Sequence, residues 1–386
     1  MCFYVEFKQF LEFLLKIILF YNIFQDFTRE EGSGLSRIPR LMAILPAMDF
    51  FTKIDIPAAD FKIDYESRIA FFGSCFADNI SAQFSVRKFH VLANPFGTVY
   101  NPASIERQIK AIAEGKIFGE GDVFQDTRSD KLWHSWDAHG SLSGATREEC
   151  IAKMNEAATR TREFLQKADV VFITLGTAFV YFLKDAPSGS GNIRGRAVSN
   201  CHRQDPRIFE HRMITVEEAA ESIRGIVESL RTIAGRNPHI VLTVSPLRHT
   251  GDGAHGNTLS KATLQLAVEK AIAGMQASAN SVSYFPSYEI VMDELRDYRF
   301  YADDMIHLSK AAEEYIFESM AETYCSERTR ADIARVEKFM KMANHRIMNA
   351  DSDIATEFAK KRMAQARELE IQIPGLNFGQ DIQTRH

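Results

Sequence analysis

The sequence predicts an α/β fold of three layers, in which helices cover both faces of a mostly parallel, five-stranded sheet. Short apolar runs alternate with longer segments whose apolar residues recur at helical spacing. The predicted strands cover residues 69–72, 89–92, 170–175, 240–244 and 282–285. The predicted helices cover about residues 77–86, 101–113, 147–167, 215–234 and 258–279. Strands that are apolar throughout are typical of a parallel sheet buried on both faces.

Small or polar residues directly follow three of these strands. Ser74, Gly176 and Ser245 each stand just beyond a predicted strand end. Because the carboxyl ends of parallel strands meet at one edge of a sheet, we expect these residues to lie close together there.

Composition and charge exclude several classes of protein. The 386 residues carry a net charge of -5 and no Lys/Arg-rich run, so no nucleic-acid partner is expected. The cysteines are odd in number and scattered, which predicts reduced thiols and a cytoplasmic location. No CxxC spacing indicates structural zinc, and we expect neither a metal nor a cofactor. The five cysteines are Cys2, Cys75, Cys150, Cys201 and Cys325.

The chain divides into three predicted parts. Residues 1–47 are expected to be an N-terminal extension or linker outside the fold, or to precede the true start. Residues 48–324 form the main domain, with a hairpin insertion at about 119–146 and a long loop at about 185–212. Residues 325–386 are charged with helical spacing, which predicts amphipathic helices that pack on the core or oligomerise with a partner.

The apolar stretch at residues 10–27 does not predict a membrane span. Glu12 and Lys16 interrupt it, and its clean run falls short of the roughly 20 residues that a spanning helix needs. No signal-peptide cleavage pattern follows it. An interfacial helix remains the alternative to a simple appendage.

A serine in a strand–turn–helix segment is the most informative feature for function. Ser74 follows the first predicted strand and precedes a helix, whose N-terminus favours developing negative charge. Far downstream, Asp304 stands three residues before His307. A serine near the first strand with a late Asp-x-x-His is the layout of SGNH-type hydrolases.

The segment Gly73-Ser74-Cys75-Phe76-Ala77 resembles the motif that gives the GSCFA domain family its name. The similarity covers roughly residues 48–324 and implies a flavodoxin-like, SGNH-type hydrolase fold with poorly defined substrates. Five further segments resemble the family in the same order: 94–102, 174–178, 199–202, 244–249 and 284–290.

Spacing assigns a role to each member of a Ser-His-Asp set. Ser74 would be the nucleophile, His307 the base, and Asp304 the group that orients the histidine ring. Asp303 would point away from that side of the turn. Cys75 is expected to pack beneath the turn, with a thiol nucleophile as the minority alternative.

The sequence offers several candidate hydrogen-bond donors for an oxyanion. The SGNH resemblance implies a glycine N–H from a second sequence block, for which Gly97 is the candidate. Gly176-Thr177 stands where the superfamily has Gly-x-Asn, so the third donor could come from Thr177, Asn94 or Asn200.

Three basic residues are further candidates for substrate binding. Arg248 and His249 follow a strand and could hold an anionic group, or pair with Asp252. His202 adjoins Cys201, with His211 nearby, but this irregular spacing does not predict a metal site.

The sequence therefore favours a serine esterase or deacylase that hydrolyses a small O-acyl ester. Analogy with relatives of the fold implies that this ester is on a carbohydrate, so the substrate is a small-molecule acyl ester or an acylated glycan. An O-acyltransferase with the same triad and a sugar hydroxyl as acceptor is the first alternative. The second is a non-catalytic binding or assembly module that uses the helical tail as an interface.

Overall fold

The computed structural model describes residues 52–126, 131–184, 195–275, 281–344 and 353–379, with side chains from 357 onward in the last range. The strands are β1 (Arg68–Gly73), β2 (His90–Ala93), β3 (Phe124–Gln125), β4 (Trp133–His134), β5 (Val170–Leu175), β6 (Phe179–Leu183), β7 (Phe209–Met213), β8 (His239–Val244) and β9 (Val282–Tyr284). The main sheet has the order β2-β1-β5-β8-β9, and every pairing in it is parallel. The predicted α/β fold with five parallel strands is confirmed.

The helices fall on the predicted segments, except that the one expected at 258–279 begins and ends five residues earlier. They are α1 (Cys75–Val86), α2 (Pro102–Ala113), α3 (Arg147–Leu165), α4 (Val216–Ala234), α5 (Gly253–Gly274), α6 (Lys310–Tyr324), α7 (Glu327–Ala343) and α8 (Asp353–Gln372). A short helix, Ser287–Glu289, continues as a π-helical turn over Ile290–Leu295. Single 3₁₀ turns cover Glu120–Asp122, Gly140–Leu142, Pro206–Ile208, Thr250–Asp252 and Tyr298–Phe300.

Strand residues alternate between two apolar cores, one on each face of the sheet. In β1, Ala70 and Phe72 join the core that α2, α3, α4 and α5 complete, whereas Ile69 and Phe71 join the core beneath α1 and α6. A strand with period-two alternation can be apolar throughout only where both faces are covered. The three layers therefore follow from the apolar composition of the strands.

Strand register brings the ends of β1, β5 and β8 level with one another. Gly73 pairs with Thr174, and Leu175 pairs with Val244. The residues that follow these strands therefore share one edge of the sheet, as expected for a ligand site in this kind of fold.

Two antiparallel ribbons form small sheets separate from the main sheet. Strands β3 and β4 lie where the hairpin insertion was expected. Strands β6 and β7 form a second ribbon that the sequence did not predict, since most of β7 fell in the loop expected at about 185–212. The β7 sequence Phe-Glu-His-Arg-Met is polar at its centre, so it lacks the apolar run of a buried strand. Residues 185–194 of that expected loop lie outside the described residues.

The apolar stripe of the C-terminal tail is buried within the chain itself. Ile333, Val336 and Phe339 of α7 pack in the same core as α1 and α6. Arg87, after α1, donates to Glu337 of α7 at 2.6 Å and also pairs with Glu314 of α6. The tail packs on the core, while its predicted part in oligomerisation stays a prediction.

Within the described residues, no helix is both long and apolar enough to cross a membrane. The apolar stretch at 10–27 lies outside those residues. In the same part of the chain, the cysteines at 75, 150, 201 and 325 are all free thiols.

Candidate active site

A cavity of about 150 Å³ lies at the carboxyl edge of the parallel sheet. It collects residues from loops that are far apart in the sequence, including Ser74 and His307, as the sequence analysis expected. Its lining residues are Ser74, Cys75, Tyr100, Gly176, Ser245, Leu247, Arg248, His249, Ile306 and His307.

Ser74 occupies the N-cap position of α1 but does not cap the helix. Its backbone is extended, with φ -69° and ψ 175°, and its side chain accepts no hydrogen bond from the first turn. The Oγ atom is buried and has no hydrogen-bond partner within the described residues. An N-cap serine normally uses its hydroxyl to satisfy a helix N–H, so this hydroxyl is left available for another partner.

Gly73 fixes the direction in which the chain enters this turn. Its φ is +136°, and a Cβ there would stand 2.0 Å from the Thr174 carbonyl oxygen of β5. Only glycine fits such a backbone at such a close approach. Ser74 is consequently held against the neighbouring strand, and its N–H donates to Thr174 O at 3.3 Å.

Asp304 and His307 form a hydrogen-bonded pair in the loop before α6. Asp304 Oδ2 lies 2.6 Å from His307 Nδ1, while Asp304 Oδ1 accepts the N–H groups of Ile306 and His307 at 2.9 Å each. These bonds, that of the histidine ring above all, lower the pKa of Asp304 to about 2. One carboxylate thus shapes the loop and orients the ring, and this geometry makes Nδ1 the protonated nitrogen.

Asp303 takes no part in this pair. It is exposed and makes neither a hydrogen bond nor an ion pair within the described residues. The catalytic set itself stays a prediction: Ser74 and His307 line one cavity, but the hydrogen bond expected between them is not made.

Two of the expected oxyanion donors make hydrogen bonds within or beside the turn after β2. Asn94 accepts the Gly73 N–H through Oδ1 at 2.8 Å and donates to Asp78 through Nδ2 at 2.8 Å. The Gly97 N–H donates to Asn94 O at 2.7 Å, and the glycine packs against His139 away from the cavity. In this structure Asn94 and Gly97 support the Ser74 turn and do not line the cavity.

Gly176 does reach the cavity, but its N–H is also engaged. Both Gly176 and Thr177 donate their N–H groups to Tyr100 O, at 2.7 and 2.9 Å. The Thr177 hydroxyl bonds with Ser260 and accepts the Phe179 N–H. The first turn of α1 directly follows Ser74, and the N-terminus of a helix favours negative charge.

Asn200 and His202 lie elsewhere, beside the β3–β4 hairpin. Asn200 accepts the His202 N–H at 2.7 Å, and the His202 ring stacks on that of His134 with centroids 4.4 Å apart. Burial lowers the pKa of His202 to about 4, so the ring is neutral at neutral pH. Neither residue lines the cavity, and no cluster of His, Cys, Asp and Glu fit for a metal occurs within the described residues.

Arg248 and His249 line the cavity, as the sequence suggested. Arg248 does not make the alternative pairing with Asp252, which instead lies 3.5 Å from His211. The guanidinium of Arg248 instead lies over aromatic rings. Burial lowers the pKa of the His249 ring, whose backbone N–H donates to Asn257.

Lys261 is the main residue that the sequence analysis missed. It is 2% exposed, and its Nζ donates to the carbonyl oxygens of Gly176 and Ser245 at 2.6 and 2.7 Å. Burial lowers the pKa of its amine from 10.5 to about 7. Its position three residues before Leu264, on the buried face of α5, was the available signal.

Cys75 differs from its expected place beneath the turn. It is partly exposed, lines the cavity, and has its Sγ 3.4 Å from the Tyr100 hydroxyl. The thiol and the phenol therefore form one wall beside Ser74.

Comparisons with known proteins give a family match and remote likenesses to solved structures. The family model described as the GSCFA family matches residues 68–320. Among solved structures, a carbohydrate esterase family 3 from Talaromyces cellulolyticus is similar at 10% identity and a TM-score of 0.28, over 70% of this chain and 99% of that one. A comparison with curated protein sequences found no match.

Proposed function

The chain belongs to the GSCFA family, whose model covers residues 68–320, and from its sheet-edge cavity we propose that it is a serine esterase. One observation carries the proposal. The Ser74 hydroxyl is buried without a partner in the same cavity as the ring of a preformed Asp304–His307 pair. A nucleophile, a base and an orienting carboxylate are the groups that acyl transfer through serine requires.

The proposed reaction has two halves. Ser74 Oγ attacks the ester carbonyl carbon while His307 Nε2 takes the hydroxyl proton. The C–O bond to the alcohol then breaks, and the alcohol leaves with that proton. Water, deprotonated by His307, next attacks the acyl-enzyme, which releases the acid and returns the proton to Ser74.

Asp304 and the start of α1 assist both halves. Asp304 Oδ2 holds His307 Nδ1 and stabilises the imidazolium that forms. The first N–H groups of α1 favour the oxyanion on the carbonyl oxygen. Ser74 and His307 approach each other only when a substrate or a small loop movement completes their hydrogen bond.

Hydrolysis of p-nitrophenyl acetate tests the proposal. The wild type should release p-nitrophenol, and Ser74→Ala should not. Ser81→Ala is the matched control, because Ser81 lies on the same helix and donates to Asp78 O outside the cavity. Equal rates for Ser74→Ala and the wild type would refute the assignment and favour a binding or assembly module.

Adding a sugar acceptor to the same assay separates hydrolase from transferase. An esterase yields acetate with or without the sugar. Acetyl transfer to the sugar in preference to water would instead establish the O-acyltransferase alternative. The carbohydrate as natural alcohol rests on analogy with relatives of the fold and is tested by the same acceptor series.

We also propose a cytoplasmic location. The described cysteines are all free thiols, as expected where glutathione and thioredoxin keep cysteines reduced. Fractionation of the native cells, followed by immunodetection, tests the location.

A further inference from the structure

Arg248 is the one lining residue of the cavity whose charge the described residues leave unneutralised. It makes neither a hydrogen bond nor an ion pair with any described residue, although its guanidinium carries five N–H donors. Its partners are two aromatic rings. The guanidinium carbon lies 5.7 Å from the centroid of Tyr298 and 5.0 Å from that of Tyr301.

These rings hold the guanidinium without using its donors. Cation–π contacts act through the face of the aromatic ring, so the N–H groups remain directed to other partners. Both tyrosines precede the Asp304–His307 loop, and Tyr301 bridges to Leu308 in an antiparallel pair. The loop that carries the histidine therefore also positions the arginine.

Three carboxylates of the surrounding loops are already occupied, and the exposed Asp303 makes no ion pair with Arg248. Asp304 is bonded to His307, and Asp252 pairs with His211. Asp78 accepts hydrogen bonds from Asn94 and Thr98. An uncompensated positive charge thus remains at the cavity wall, where an anionic group would gain charge-assisted hydrogen bonds.

We propose that the substrate of this site is an ester that carries a carboxylate, and that Arg248 binds this carboxylate while Ser74 attacks the ester. This inference rests on the proposed esterase function and deepens it. The planar guanidinium matches a carboxylate with two parallel N–H···O bonds, which a lysine cannot reproduce. The carboxylate can belong to the acyl part or to the alcohol part of the ester.

Two matched substrate pairs distinguish these sources. For the alcohol part, 4-acetoxybenzoate is compared with the neutral 4-acetoxybenzamide. For the acyl part, mono-4-nitrophenyl adipate is compared with 4-nitrophenyl hexanoate. Rates with Ser74→Ala are subtracted as background. We expect the wild type to prefer the anionic member of one pair by about 10- to 100-fold in kcat/KM, the range of a charge-assisted hydrogen bond.

Variants of Arg248 decide whether this preference depends on the guanidinium. Arg248→Gln should bring the anionic-to-neutral ratio close to one, and Arg248→Lys should restore only part of it. Arg299→Gln is the matched control. Arg299 lies over Phe300 and near Asp297, in the turn Tyr298–Phe300 that carries one of the rings under Arg248. It does not line the cavity, so the anionic-to-neutral ratio should persist in this variant.

Each outcome bears on one claim. If the wild type hydrolyses neither pair in a Ser74-dependent way, the esterase function fails. If Ser74-dependent hydrolysis occurs without an anionic preference, or the preference survives in both Arg248 variants, the role of Arg248 is refuted and the esterase stands. Should Arg248→Gln fail to fold by circular dichroism, Tyr298→Leu replaces it, because it removes an exposed ring that holds the guanidinium, and the ratio should again fall.

Discussion

Replacing Lys261 by methionine should change how stability depends on pH. The Lys261 amine is buried under the cavity and donates to two backbone carbonyls, those of Gly176 and Ser245. Burial lowers the pKa of this amine in the folded protein to about 7, whereas in an unfolded chain it stays near 10.4. Methionine has a similar length but does not titrate.

The direction of the effect follows from proton binding. Between about pH 7 and 10.4 the unfolded chain holds the proton on residue 261 and the folded protein does not, so stability rises with pH in this window. Below about pH 7 both states are protonated and the burial penalty is constant. The free energy of unfolding rises by about 1.4 kcal/mol per pH unit in this window. The difference in this free energy, wild type minus Lys261→Met, should therefore increase by roughly 2.5 kcal/mol between pH 7.5 and 9.5.

Urea unfolding at a series of pH values measures this difference. Other groups titrate alike in both proteins, so their contributions cancel when the free energies of unfolding are subtracted. At the alkaline end of the series the wild type should also be more stable than Lys261→Met, by about 2 kcal/mol in the free energy of unfolding. The reason is that the neutral amine still makes two hydrogen bonds, which methionine cannot make. A difference that is flat from pH 7.5 to 9.5 would show that the buried amine keeps an ordinary pKa and would refute the reasoning.

Three further predictions concern the catalytic loop and its neighbours, each checked by initial rates on p-nitrophenyl acetate together with the thermal midpoint. His307→Ala should abolish hydrolysis because it removes the base; retained turnover would contradict that role. Asp304→Asn should lower kcat by about 10⁴-fold, since an amide favours the wrong ring tautomer, whereas the exposed Asp303→Asn should stay within about twofold. Equal damage from these two variants at unchanged stability would refute the assigned orienter. Gly176→Ala places a Cβ 3.2 Å from Ser74 Cβ and should slow acylation by roughly 10- to 100-fold; an unchanged rate would refute the close contact.

The main sheet could be predicted because its strands are buried on both faces. Such strands are apolar along their whole length, so the runs at 170–175 and 240–244 needed no correction beyond single end residues. The β6–β7 ribbon could not be predicted in the same way. Its second strand has three polar residues in sequence, and pairing with β6, not burial, makes it a strand.

The sequence predicted where the candidate site lies, but only some of the contacts that its residues make. Parallel strand ends meet at one edge, which brought Ser74 and Gly176 together from distant blocks. Gly97 fitted the sequence rule for a donor that can approach a substrate closely. The turn nevertheless uses its N–H internally, because competition among local hydrogen bonds depends on backbone angles that spacing does not reveal.

Lys261 was missed for a related reason. A single lysine on a helix with apolar neighbours is normally taken to extend its ammonium into water. Here the carbonyls of Gly176 and Ser245 offer two acceptors inside the fold. These acceptors directly follow β5 and β8, so no pattern within α5 indicates them.

Labelling with a fluorophosphonate tests the nucleophile most directly. Such a probe phosphonylates a serine whose hydroxyl is activated by a neighbouring base. Intact mass and peptide sequencing of the wild type should place one adduct on Ser74, and folded Ser74→Ala should acquire none. An adduct on another residue, or none on a folded wild-type protein, would contradict the assignment of Ser74 as the nucleophile.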